Sequence, residues 1–142
     1  MRRTHEKPIP NVALDATGLH HTTVVYGYLV DLLQISHELA LAILNSSLMW
    51  WYLKKTGDTL SSDSRRMKTA YLNPFPIPIA REETLITQIE TLVGKALAID
   101  TSLEGAHELK NEIDQKIDAL IGQLYGLSRT EHEYIIADSG YR

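Results

Sequence analysis

The sequence contains no cysteine among its 142 residues, which excludes disulfides, thiolate metal sites and thiol nucleophiles, and fits a reducing, cytoplasmic setting. It has little phenylalanine, a single residue, and no glycine-rich loop following a strand, so no dinucleotide or S-adenosylmethionine pocket is announced. A membrane-spanning run is also missing. The most apolar stretch, Leu39 to Leu53, is shorter than the roughly 18 to 20 residues a span requires and contains Asn45, Ser46 and Ser47. The basic N-terminus, Arg2-Arg3-Thr4, runs into Pro8, Pro10 and Asn11 rather than an apolar signal sequence.

What is present is the composition of one ordinary globular domain, 44% hydrophobic and 23% charged. The net charge of −4 hides an asymmetry. Residues 1–80 carry eight Lys or Arg against six Asp or Glu, a balance of +2, whereas residues 81–142 carry six against twelve, a balance of −6. A basic half joined to an acidic half is compatible with one face toward phosphate and another toward solvent or protein.

Hydrophobic patterning predicts an α+β chain. Val12 to Val30 reads as a β-hairpin around Asp15-Ala16-Thr17-Gly18, because Thr, Val and Tyr concentrate in its second half. Ser36 is a suitable N-cap for a nearly all-apolar, hence buried, helix running to Lys54, Lys55 and Gly57. Residues 57–69 have no sustained periodicity and read as an exposed loop. Prolines alternating with apolar residues make Tyr71 to Ile79 an extended segment with Phe75, Ile77 and Ile79 on one face. From Glu82 the spacing of Leu85, Ile89, Leu92, Ala96 and Ile99, and then of Leu109, Ile113, Ile117, Leu120 and Leu124, predicts two antiparallel helices joined through Asp100 to Gly105. Gly126 stands where a helix-ending glycine belongs, and Ser128-Arg129-Thr130-Glu131 is a capping box opening a short last helix. The expected division is 1–80, the hairpin and extended segment on the buried helix, and 81–142, the helical hairpin with its terminal helix.

Few side chains suggest catalysis. Asn73-Pro74-Phe75-Pro76 approaches the tetrad with which amino-methyltransferases hold a flipped adenine, but Phe75 takes the place of the second proline, so a structural role is expected. His20 and His21, adjacent on a predicted strand, point to opposite faces and do not share a metal. Asp58, Asp63 and Lys68 lie in or beside one loop without the strand framework of a metal-dependent nuclease. Trp50-Trp51-Tyr52 belongs to an apolar helix and reads as core rather than as a stacking platform. The cluster with the most chemical content is basic: Lys54, Lys55, Arg65, Arg66 and Lys68, on a helix end and a loop, with Thr59, Ser61, Ser62 and Ser64 as short donors. Such side chains reach phosphates or base edges, although composition alone fits a solvated loop with helix-capping lysines.

The strings Ala42 to Tyr52, Arg66-Met67-Lys68-Thr69-Ala70-Tyr71-Leu72 and Phe75-Pro76-Ile77-Pro78, in this order, resemble the TaqI-like C-terminal specificity domain of restriction-modification enzymes. Arg2-Arg3-Thr4 with Thr22 to Val30, and Ile113-Asp114 through Leu127, look similar to it as well. A departure stands at Ser61-Ser62, where many relatives carry a glycine pair. The resemblance implies the C-terminal part of a target-recognition region. Its partners would be double-stranded DNA and the catalytic portion of a parent enzyme. That parent, an adenine-specific DNA methyltransferase often fused to an endonuclease, would use S-adenosylmethionine and Mg. The chain itself would hold no catalytic, cofactor or metal residue. Lys54, Lys55, Arg65, Arg66 and Lys68 would be its DNA contacts. The alternative from another class is a helical interaction module in which residues 82 to 124 associate with another chain or a second copy.

Overall fold

A computed structural model describes residues 12–18, 27, 34–61, 64, 65, 67–78 and 82–141. These form six helices in chain order, α1 (His37–Leu44), α2 (Ser47–Thr56), α3 (Thr69–Leu72), α4 (Glu83–Leu97), α5 (Ala106–Leu124) and α6 (Arg129–Ser139). Between α2 and α3 lies a minimal antiparallel ribbon of β1 (Thr59–Ser61) and β2 (Ser64–Arg65).

The α+β class is therefore overturned: the described residues build a helical fold, and strands of three and two residues make no layer. Of the expected hairpin, Val12 to Gly18 has no strand; Asp15 instead closes a turn by accepting from the N–H groups of Thr17 at 2.8 Å and Gly18 at 3.1 Å. Leu19 to Val30, Gly27 apart, lies outside the described residues. Residues that favour strands have no strand pairing in the described part of this stretch, where local hydrogen bonding by Asp15 wins.

The single buried helix of the sequence reading is two helices. Ser36 caps the first as expected, its hydroxyl accepting from the Leu39 N–H. The chain then breaks at Asn45-Ser46, because side chains that bond to nearby backbone compete with the helix ladder. Ser46 caps α2 by accepting from the Met49 N–H. Asn45 faces away, its carboxamide accepting from the Val12 N–H and donating to the Val12 carbonyl, both at 2.9 Å. The break thus holds Val12.

The expected extended segment also begins differently. Thr69–Leu72 is a helical turn that ends at Asn73, whose N–H reaches the Thr69 carbonyl at 2.8 Å; Pro74 supplies no N–H to continue it. The chain then turns Phe75 inward. Phe75 is buried between Tyr52, centroid distance 5.0 Å, and Tyr125, 5.6 Å.

α4 and α5 fold back on each other across residues 98–105, as the two apolar seams predict. The second seam is used only from Ile113 onward, since Leu109 stays exposed. One cluster gathers Leu39 and Ile43 of α1, Met49, Trp50 and Leu53 of α2, Phe75 of the proline segment, Ile89 and Val93 of α4, and Ile113, Ile117 and Ile121 of α5. Residues from both sides of position 80 share it. α5 closes in a Schellman motif, with Gly126 at φ 73° and the Leu127 N–H reaching the Gly122 carbonyl at 2.9 Å. The Ser128 and Glu131 capping box is formed in both directions.

Two tyrosines fasten the ends of this arrangement. Tyr125 donates to the Pro76 carbonyl at 2.8 Å, and Tyr141 donates to the Asn45 carbonyl at the break. Burial pushes both phenols well above their ordinary value, so the fold prefers them neutral. Their contribution is fully present below the ordinary tyrosine pKa of about 10 and is lost as pH rises further, when the unfolded chain gains by ionising. Alkaline unfolding followed by circular dichroism is expected to begin above that value. A Tyr125→Phe/Tyr141→Phe variant should show a flatter alkaline limb; an unchanged limb assigns the transition to other groups.

Candidate nucleic-acid interface

The basic side chains singled out in the sequence occupy one continuous stretch from the end of α2 through the ribbon to α3. Helix α2 carries Lys54 and Lys55 in its last turn, where cations favour the C-terminal dipole end. Gly57 then caps the helix in an extended conformation: its N–H meets the Leu53 carbonyl at 2.8 Å, and a Cβ there would stand only 2.8 Å from that oxygen. The ribbon follows at once, pairing Thr59 with Arg65 and Ser61 with Ser64. At its base Lys68 forms an ion pair with Asp58 at 3.2 Å and lies 6.0 Å from the Tyr71 ring centroid. The segment expected as a loop is therefore a β-ribbon with a charged staple across its neck.

The five cations do not share one situation. Lys54 donates to the Ser139 carbonyl at 3.0 Å and so covers the C-terminal end of α6. Lys55 pairs with Asp138 at 2.9 Å and lies 5.8 Å from the Trp51 ring centroid. The Asp138 carboxylate also accepts from the Trp51 indole N–H at 2.9 Å. The hydrogen bond between them raises the Lys55 pKa and holds that of Asp138 below the usual carboxylate range. Arg65 is half-buried at the ribbon's second strand, and Arg66 lies outside the described residues.

The other motifs resolve into structure. Trp50 is core and Tyr52 packs on Phe75. Phe75, enclosed between two tyrosines, has no face to offer a flipped base. Asp58 is joined to Lys68, while Asp63, His20 and His21 fall outside the described residues.

One arrangement escaped the sequence reading. Asp118 of α5 is buried and accepts from the Ser47 N–H at 2.7 Å, while its other oxygen meets His132 Nε2 at 2.9 Å. Ser47 Oγ stands 3.4 Å from the same nitrogen. A nucleophile and base relay needs the two different imidazole nitrogens, and Ser47 is wholly buried, so the trio joins α2, α5 and α6 rather than performing acyl transfer. The signal was an acidic residue set within an apolar seam, between Ile117 and Ile121.

The family model of the TaqI-like C-terminal specificity domain matches residues 1–77, more than half of the 142. The chain belongs to that family. No curated protein and no solved structure matches it. The specificity domain ends, on this match, in the proline segment that carries Phe75, so α1, α2, the ribbon and α3 lie inside it and α4, α5 and α6 lie beyond it. The string Ile113 to Leu127, expected to be part of the family resemblance, falls beyond the match. Specificity domains of this kind serve sequence recognition in restriction-modification enzymes and are typically non-catalytic. Among the described residues no helix is long and apolar enough to cross a membrane.

Proposed function

We propose that this chain reads DNA sequence as the C-terminal part of the recognition region of a restriction-modification enzyme. The parent's methyl transfer to adenine and its cleavage reside in other parts, which use S-adenosylmethionine and Mg. The observation that carries the reading is the family match over residues 1–77 together with a two-stranded ribbon inside it that carries Arg65 and has Lys68 at its neck. A ribbon of this kind is one of the two elements a major groove admits. Arg65, Arg66 and Lys68 are its DNA contacts, with Lys54 and Lys55 at its root.

The test is selection of duplexes by the full chain from a randomised pool, followed by titration of the enriched duplex across salt concentrations. Wild type should enrich a defined sequence. Arg65→Ala/Arg66→Ala should bind it at least tenfold more weakly, with a log–log salt slope reduced by about 2 if both arginines neutralise phosphates. Equal affinity and slope would remove the ribbon from the interface. The rival, a helical association module, has less to work with, because Ile89, Val93, Ile113, Ile117 and Ile121 are already buried within the chain. Concentration-independent monomer in sedimentation together with tight DNA binding would dispose of it.

A further inference from the structure

Helix α6 lies outside the family match, yet it grips α2 along its length. At the start of α2, Asp118 takes the Ser47 N–H and is itself met by His132 of α6. At the end of α2, Asp138 of α6 takes both the Trp51 indole N–H and the Lys55 ammonium, and the Ser139 carbonyl takes Lys54. Only Thr56, Gly57 and Asp58 separate that grip from the first strand of the ribbon. A two-stranded ribbon is marginally stable by itself, so the direction in which it projects is set by what holds its root. One root is the end of α2. The other is the Asp58 and Lys68 pair at the neck.

We infer that α6 is the brace that aims the recognition ribbon, with Asp138 as the positioning residue and Lys54 and Lys55 serving as its anchors as much as contacts to phosphate. This rests on the reading of the ribbon as the DNA-contacting element. Charge makes two outcomes opposite in sign. If Asp138 positions the ribbon, removing it weakens binding to the correct sequence, which demands register, and leaves binding to arbitrary duplex nearly untouched, since phosphate attraction demands only charge. If Asp138 merely masks Lys55, removing it frees a cation and strengthens binding to every duplex.

The experiment compares wild type, Asp138→Ala and Asp138→Glu as full chains in two measurements. The first, without DNA, is hydrogen exchange at the amides of Thr59–Ser61 and Ser64–Arg65. Asp138→Ala should exchange there about fivefold faster or more, while core amides of α5 stay unchanged and Asp138→Glu restores protection. The second is affinity for the duplex that wild type enriches and for the unselected pool. Asp138→Ala should lose about tenfold on the former and less than about twofold on the latter. Unchanged ribbon exchange overturns the brace, as does tighter binding of Asp138→Ala to both DNAs with a steeper salt slope. Failure of wild type to enrich any duplex sinks the DNA reading, and exchange still decides whether α6 holds the ribbon.

Discussion

A chain ending at Ile79, which retains the whole family match, is expected not to fold. Its far-ultraviolet circular dichroism should show little helix and no cooperative thermal transition, whereas the full chain melts in one step. Leu39, Ile43, Met49, Trp50, Leu53 and Phe75 share one core cluster with Ile89, Val93, Ile113, Ile117 and Ile121, while α2 packs chiefly on α6 and Phe75 also on Tyr125. Ile89, Val93, Ile113, Ile117 and Ile121 all lie beyond the match. Exposing six large side chains costs about 2 kcal/mol each, on the order of 10 kcal/mol together, which is comparable to the entire stability of an ordinary domain. The loss also takes Asp118, Asp138 and Tyr141, and with them the polar contacts at both ends of α2 and at the α1 and α2 junction. A helical, cooperatively melting 1–79 chain would show that the specificity segment carries its own core and that α4 to α6 are an appendage.

The same dependence explains what the sequence made legible. Elements defined by local chemistry were readable: the Ser36 cap, the two seams of α4 and α5, the glycine ending α5 and the Ser128 and Glu131 box each depend on neighbours within a few residues. The ordered strings from Ala42 to Pro78 were legible as a family signature, and the family match includes all but the last residue of them. Elements defined by competition were not. An apolar run through Asn45, Ser46 and Ser47 looks like one helix, until the position of the break gives the Asn45 and Ser46 side chains Val12 and Met49 to bond and the Ser47 backbone N–H the Asp118 carboxylate. Thr59 to Arg65 has too few residues for a strand pattern, yet the pairing of Thr59 with Arg65 and of Ser61 with Ser64, with the Asp58 and Lys68 pair across the neck, makes it a ribbon. The five basic residues were found by composition; that Lys54, Lys55 and Lys68 each have an intramolecular partner depends on residues 10 to 85 positions away.

Among point substitutions, Asp118→Ala should be one of the most damaging. Asp118 is 4% exposed and serves two groups at once, the N–H of Ser47 in the first turn of α2 and the imidazole of His132. A carboxylate at a helix N-terminus satisfies a backbone donor that has no partner within the helix and opposes the positive end of its dipole. Removing it leaves a buried N–H and a largely buried imidazole without this acceptor, and opens a small cavity. The expected cost is about 3 kcal/mol, or a fall in Tm of roughly 10 °C for a chain of this size. Ser47→Ala separates the two possible readings of the trio. It keeps the backbone N–H that Asp118 accepts and removes only a hydroxyl at 3.4 Å, so it should cost less than about 1 kcal/mol. Gly122 adds a steric check, because a Cβ there would stand 3.0 Å from the His132 ring. Gly122→Ala should therefore destabilise although alanine is the better helix former, by displacing the imidazole that Asp118 holds. Thermal melts that rank Asp118→Ala as the largest loss, Gly122→Ala as intermediate and Ser47→Ala as the smallest are what a structural joint between α2, α5 and α6 requires. A Ser47→Ala loss equal to that of Asp118→Ala would place the hydroxyl, rather than the backbone, at the centre of the network.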